Sequence, residues 1–419
     1  MNGLAPDGGL YVPESIPRLD ARAFEPSSQS SLHSIGAKVL SQFIDCLSEQ
    51  SLTSIIKDAW DFPIPLVKLE ERIYLLELFH GPTLAFKDVG ARFMAHVMSY
   101  FLKQQHQQVT VIVATSGDTG SAVAHGFFNI PNIDVFVLYP SGMVSRLHEQ
   151  QMTTLGGNIT AVEVEGTFDD CQHLVKTALN DSELQHKRAL TTANSINIGR
   201  LLPQIAYFVW GLVQLKEKFR EASPPLVVVP SGNFGNLTAA VYAKWMGAPL
   251  RSFVAATNAN DVVVQYLRTG DFSPRPGIQT YSNAMDVGNP SNLARLQILF
   301  EHNVGDFRRN VEAVSISDED TLNEIRRTYE RTNYILDPHT AVAVAATREI
   351  MKRTSDAPVM VAATAHPAKF PEVVKMATGL DVPLPKALQE AATRPKHSIK
   401  IREYDEWRKL LITTTQSSE

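Results

Sequence analysis

The sequence predicts an α/β fold of two units, each built on a parallel-rich sheet covered on both faces. Three observations predict it. Six short apolar runs recur along the chain, at 109–114, 135–139, 159–164, 226–230, 252–256 and 359–364, and only one charge, Glu163, falls inside them. Such runs suit strands buried on both faces, as in parallel sheets. Longer helical patterns separate them, the alternation expected of α/β architecture. Finally, 419 residues are enough for two to three domains at about 150 residues each.

Taken in order, residues 1–30 are turn-rich. The stretch 32–62 places Ile35, Val39, Leu40, Phe43 and Leu47 at helical spacing, so residues 1–80 are expected to form a helical flank docked on the core. Residues 87–102 set Val89, Phe93, Val97 and Phe101 on one helix face at four-residue steps. A smaller α/β unit is expected over 88–195, holding the runs at Val109, Val135 and Ile159. A larger one is expected over 81–87 and 196–419, holding those at Leu226, Ser252 and Val359. Residues 168–179 read as a helix that buries Cys171 as a small apolar group. The tail 413–419 reads as disordered.

Composition narrows function. Lys and Arg number 39 against 44 Asp and Glu, a net charge of −5, so neither nucleic acid nor an anionic membrane is the expected partner. Two cysteines, Cys46 and Cys171, supply no disulfide scaffold and no Cys-based zinc site, which fits a reducing cytoplasm. No His/Asp/Glu spacing suggests a metal. The uncharged run 201–215 is too short to span a membrane, and Pro203 and Gln204 interrupt it. The run 222–243 carries Pro224, Pro225, Pro230, Gly232 and Gly235, too many breakers for a span. The first residues show no basic-then-apolar signal pattern.

Three strand–helix junctions carry chemistry. Thr115-Ser-Gly-Asp-Thr-Gly-Ser121 and Pro230-Ser-Gly-Asn-Phe-Gly-Asn236 both place small residues between an apolar strand and an apolar helix. There glycine lets a ligand approach the backbone, and a helix N-terminus offers N–H groups to an anion. Neither has the spacing of the P-loop or the dinucleotide fingerprint, and alone each is equally explained as a tight turn. The third, His80-Gly-Pro-Thr-Leu-Ala-Phe-Lys-Asp88, brings Lys87 after an apolar approach. Desolvation there would free its amine as a nucleophile or base; alone, the segment favours a solvated lysine opening a helix. Together, an imine-forming lysine, a phosphate seat and a carboxylate seat are what pyridoxal phosphate and an amino acid require.

These motifs resemble those of threonine synthases. The resemblance extends to Gly3-Leu-Ala-Pro-Asp-Gly-Gly-Leu-Tyr-Val-Pro13, Asn194-Ser-Ile-Asn197, Asn283-Ala-Met-Asp-Val287, Leu336-Asp-Pro-His339 and Ala363-Thr-Ala-His-Pro-Ala-Lys-Phe370, in family order from residue 3 to about 370. The family usually carries a short segment before the first of these motifs, and this chain starts almost on it.

The resemblance implies a fold-type II pyridoxal 5'-phosphate lyase that converts O-phospho-L-homoserine and water to L-threonine and phosphate. It implies that Lys87 is the Schiff-base lysine and later the proton shuttle, and that Gly232, Asn233, Phe234, Gly235 and Asn236 hold the cofactor phosphate. Asp118 falls beside the cofactor's 3′-oxygen, where many relatives carry Asn, and Thr364 falls at the pyridine nitrogen. Thr115, Ser116, Gly117 and Thr119 fall on the substrate carboxylate. The substrate phosphate needs a second anion site, for which Arg200 and Lys369 are candidates, with Asn194 and Ser195 nearby; for each of the two cations a surface ion pair is the competing explanation. His80 and His125 read as structural, and His339 and His366 stay open. The rival readings are a related phospho-lyase releasing 2-oxobutanoate, a more distant threonine or serine dehydratase, and a non-catalytic binding homologue.

Overall fold

A computed structural model describes residues 3–414 except 6, 222, 354 and 355. Eleven strands are found among them: β1 (Leu66–Glu70), β2 (Ile73–Glu77), β3 (Val109–Ala114), β4 (Ile133–Pro140), β5 (Ile159–Val164), β6 (Leu190–Thr191), β7 (Leu226–Pro230), β8 (Phe253–Thr257), β9 (Val311–Ser315), β10 (Val359–Ala363) and β11 (Ile399–Ile401). They form two sheets. The larger has the order β1-β2-β10-β7-β8-β9 and the smaller β11-β5-β4-β3-β6. Every pairing is parallel except the β1–β2 hairpin. The six apolar runs are six of these strands, and β3, β7, β8 and β10 are buried at every position. Helices cover both faces of each sheet, and separate apolar clusters fill the spaces between.

Two boundaries differ from the sequence expectation. The helical flank ends earlier than residue 80. Its helices Leu32–Leu40 and Glu49–Ala59 bury Ile35, Val39, Ile55 and Ile56 in the large unit's core. Residues 66–77 are instead β1 and β2, turned by Glu71-Arg72 with Arg72 at φ +64°. The second difference is at the C-terminus. β11 pairs with β5, and the helix Tyr404–Thr413 sends Trp407 and Leu411 into the small unit's core. Residues 399–414 therefore pack on the small sheet and not on the large one. The expected disordered tail begins inside that helix at Thr413, and residues 415–419 lie outside the described residues.

In both sheets the Gly-rich loops leave the carboxyl ends of central strands, β3 and β7. That is where open α/β sheets hold their ligands.

Candidate active site

Lys87 opens the helix Lys87–Gln105, and the turn before it is locked from several sides. Asp88 accepts from the Thr83 hydroxyl at 2.6 Å and from the Thr83 N–H at 2.9 Å. A side chain at Gly81 would put its Cβ 2.5 Å from the Asp88 carboxylate, so only glycine fits. Leu84 sits at φ +58°, and Phe86 N–H donates to the carbonyl of Thr364 at 2.9 Å. The lysine turn is thereby stitched to the end of β10.

Around the Lys87 amine is a buried charge cluster. Asp118, first residue of the helix Asp118–Phe127, faces Lys87 Nζ with Oδ2 at 3.5 Å. Its other oxygen, Oδ1, accepts from Lys369 Nζ at 2.5 Å and from His148 Nε2 at 2.8 Å. Lys369 Nζ also donates to the carbonyl of Thr83 at 2.9 Å. Burial alone would raise the Asp118 carboxyl, but Lys369, Lys87 and His148 outweigh it and hold it well below the usual range. Burial lowers the Lys87 amine; Asp118 opposes the shift, while Lys369 and Arg200 add to it. An amine so lowered is a better base near neutral pH. Arg200 is buried and brought down to about 10 by desolvation. It donates from Nη1 to the carbonyl of Ala193 at 2.8 Å, and its Nε has no partner.

No side chain caps the helix Asp118–Phe127 or the helix Gly235–Trp245. In the first loop the Thr115 hydroxyl is committed to its own turn, accepting from the N–H groups of Gly117 at 2.9 Å and Gly120 at 2.8 Å. Ser116 is exposed, Thr119 is half-buried, and Gly117 stands at φ +148°. In the second loop Phe234 is left-handed, at φ +61°. A Cβ on Gly232 would lie 2.7 Å from Met285 Cα and 3.0 Å from the carbonyl oxygen of Ala284. Asn236 accepts from Tyr207 Oη at 2.6 Å, while its buried Nδ2 has no partner.

The remaining motifs brace these loops. Asn292 N–H donates to the Asn233 carbonyl at 3.2 Å, and its side-chain amide donates to the Ser195 carbonyl at 3.4 Å. The Asn194 amide donates to the Ala114 carbonyl at 3.0 Å, and its oxygen accepts from Thr192 at 2.9 Å. That side chain is spent holding the end of β3. His339 accepts from Ala284 N–H at 3.1 Å and faces Asp337 at 2.9 Å through Nδ1. His366 caps the turn that carries Lys369. His80 pairs with Glu77 at 2.7 Å. Cys171 is buried, its thiol pushed up to about 12 by desolvation. No His/Cys/Asp/Glu cluster suited to a metal occurs among the described residues. No helix among them is long and apolar enough to cross a membrane.

Three family models cover this chain: "Threonine synthase N terminus" over residues 1–60, "Pyridoxal-phosphate dependent enzyme" over 61–364, and "Threonine synthase, C-terminal" over 340–410. The chain is 43% identical to the threonine synthase of Haemophilus influenzae over 389 residues, 93% of this chain and 89% of that one. The chain belongs to the threonine synthase family. Against the family member from Escherichia coli it is 42% identical over 394 residues, 94% of this chain and 90% of that one. The crystal structure from E. coli superposes with a TM-score of 0.89 at 41% identity, covering 98% and 94% of the two chains. The pyridoxal-phosphate-bound threonine synthase from Brucella melitensis does so at 0.91 and 34% identity, with the same coverage. A tomato threonine deaminase, at 17% identity and a TM-score of 0.58, shares the fold.

Like the rest of the threonine synthase family, the chain is a fold-type II enzyme that uses pyridoxal phosphate. Its own residues fit that group. The Gly232 cradle admits no Cβ, the buried Asn236 Nδ2 lacks a donor's partner, and the Gly235–Trp245 helix opens uncapped. The sequence reading missed His148, Thr83 with Asp88, and Asn292. His148 stands three residues after the helix-capping Ser145, and that S-x-x-H spacing was the one visible signal.

Proposed function

We propose that this chain converts O-phospho-L-homoserine and water to L-threonine and phosphate, with Lys87 as the working amine. What supports the reading is the buried Lys87–Asp118–Lys369 cluster at the uncapped N-terminus of the helix Asp118–Phe127. Pyridoxal phosphate supplies an electron sink that stabilises negative charge at the substrate's α-carbon. The residues Gly232, Asn233, Phe234, Gly235 and Asn236 would hold its phosphate, Thr364 its ring nitrogen and Asp118 the neighbourhood of its 3′-oxygen. The Thr115–Thr119 loop would hold the substrate carboxylate, through backbone N–H groups and Ser116, because the Thr115 hydroxyl is already engaged.

Lys87, once free, takes protons from the substrate carbon chain and returns them. One base can serve several transfers when burial has brought its pKa toward working pH. The substrate's phosphate cannot share the cofactor's seat. Lys369 and Arg200 are both near enough to act on the Lys87 amine, and together they outnumber the Asp118 charge. A water-excluded cationic pair is suited to a leaving phosphate. We place the protein in the cytoplasm, since Cys46 and Cys171 are both free.

Turnover of O-phospho-L-homoserine, with threonine counted against 2-oxobutanoate, tests the activity. Excess 2-oxobutanoate would favour the rival phospho-lyase. Borohydride reduction of the loaded protein and peptide mapping test the lysine, and label on Lys103 or Lys369 would overturn it.

A further inference from the structure

His148 is one of the most buried histidines of the chain, and it packs behind the first Gly-rich loop, against Gly117 and Asp118. Its Nε2 lies 2.8 Å from Asp118 Oδ1, and its Nδ1 lies 2.7 Å from Ser145 Oγ. Ser145 caps the helix Arg146–Thr153, its oxygen accepting from the backbone N–H of His148 at 3.4 Å. That leaves the hydroxyl hydrogen to point at Nδ1. The imidazole must then accept at Nδ1 and carry its proton on Nε2, aimed at Asp118. The ring is closely surrounded. A Cβ on Gly117 would touch His148 Cγ at 3.1 Å, and Phe370 stands edge-on with its centroid 6.2 Å away.

We propose that His148 is a positioning residue for the reaction: with its tautomer set by Ser145, it pins one oxygen of Asp118 and so turns the other toward Lys87. Lys369 shares the pinned oxygen, but its ammonium is a point charge with rotatable donors and imposes less direction on the carboxylate than a planar ring does. The groups facing Lys87 are Asp118 from the helix Asp118–Phe127, Lys369 from the turn after β10 and Arg200 from the helix Ile198–Leu201. Asp118 is the one anion among them, so its aim governs how readily the amine gives up its proton. Burial and the nearby Lys369 keep the imidazole itself toward its neutral form, despite the pull of Asp118. This proposal rests on Lys87 being the working amine.

The test compares His148→Gln, which keeps a donor toward Asp118, with His148→Leu, which fills similar space without one. Each is stripped of cofactor, and the rate at which added pyridoxal phosphate bonds to Lys87 is followed across pH by absorbance. In His148→Leu the midpoint should fall by roughly one pH unit, because a misaimed carboxylate supports the ammonium less. Turnover should drop several-fold, and His148→Gln should restore both. A midpoint equal to wild type in His148→Leu would overturn the proposal. Should that variant fail to fold, Ser145→Val decides, since removing the hydroxyl must shift the midpoint the same way, and an unmoved midpoint there refutes it. Nitrogen-15 signals of His148 in the intact holoenzyme must also show Nε2 protonated and Nδ1 bare; the opposite tautomer refutes it independently. If pyridoxal phosphate never bonds to Lys87, the reading of the lysine fails instead, and the imidazole signals still judge the positioning.

Discussion

Two buried carboxylates thirty residues apart are shifted in opposite directions, one by its partners and the other by burial. Asp118 meets two ammonium groups and an imidazole and is held well below the ordinary range. Asp88 meets only the hydroxyl and N–H of Thr83 at close range, and burial raises it to about 6. A folded-state pKa above the unfolded value of 3.8 means the native state keeps its proton longer. Stability should therefore decline as pH rises from about 4 to 6, by about 3 kcal/mol if this group acted alone. Asp88→Asn should flatten that limb, as urea midpoints measured across the range would show. Asp118 behaves oppositely: its contribution is complete above the ordinary carboxylate range and is lost only in strong acid. Lys369→Ala should slow turnover roughly thirty- to a thousandfold, about 2–4 kcal/mol of transition-state stabilisation, with cofactor retained. Loss of cofactor before loss of rate would mean that Lys369 serves the other phosphate. Lys87 and Lys369, which meet Asp118 in the buried cluster, drew notice in the sequence because each sits in a compact motif. The contact of Lys369 with Asp118 joins residues 251 apart in sequence, and His148 hides in a segment that reads as an ordinary helix start. No local pattern exposes such pairings.

Most of the strands that were legible were so through their burial. The six apolar runs are strands because both faces are covered, and an apolar sequence is the direct imprint of that. Four of the five strands that went unread lie at sheet edges; the fifth, β2, is interior and buried at every position, and it was absorbed into the expected helical flank. β9 leaves Ser315 exposed, β11 exposes Ile399 and Lys400, β1 alternates with an exposed Lys68, and β6 has two residues. A half-covered strand tolerates charge and loses its signature. The second Gly-rich loop makes the sharpest demand on sequence. Gly232→Ala would push a methyl group into the backbone of residues 284–285, which cannot retreat as a flexible side chain would. Cofactor affinity should fall by about 1–3 kcal/mol, roughly five- to a hundred-and-fiftyfold, while the circular-dichroism spectrum stays native. Unchanged affinity by cofactor titration would show that this loop does not hold the phosphate.

At the scale of the molecule, the chain begins on the large unit, builds most of the small one, returns to complete the large sheet, and ends on the small one. The last passage was not legible. Ile399-Lys-Ile401 is too short to announce a strand, and nothing local says which sheet it joins. Trp407 shows what the passage contributes. It is fully buried and meets Phe136 of β4 edge-on at 5.4 Å. Trp407→Ala should destabilise the protein by about 3–5 kcal/mol, read as a lower urea midpoint, although the residue belongs to neither Gly-rich loop.

The same path bears on synthesis. β10 lies between β2 and β7 at the middle of the large sheet, yet it begins at residue 359, and β11 closes the small sheet only at 399–401. While the chain is being made, β2 and β7 have no strand between them until residue 359 is reached. The stretch from β7 to β10 takes roughly 6–26 s to polymerise, and through that interval β2 and β7 present open, apolar edges. Nascent chains halted before residue 359 should therefore be captured by holdase chaperones and digested readily, and full-length chains released from the ribosome should not.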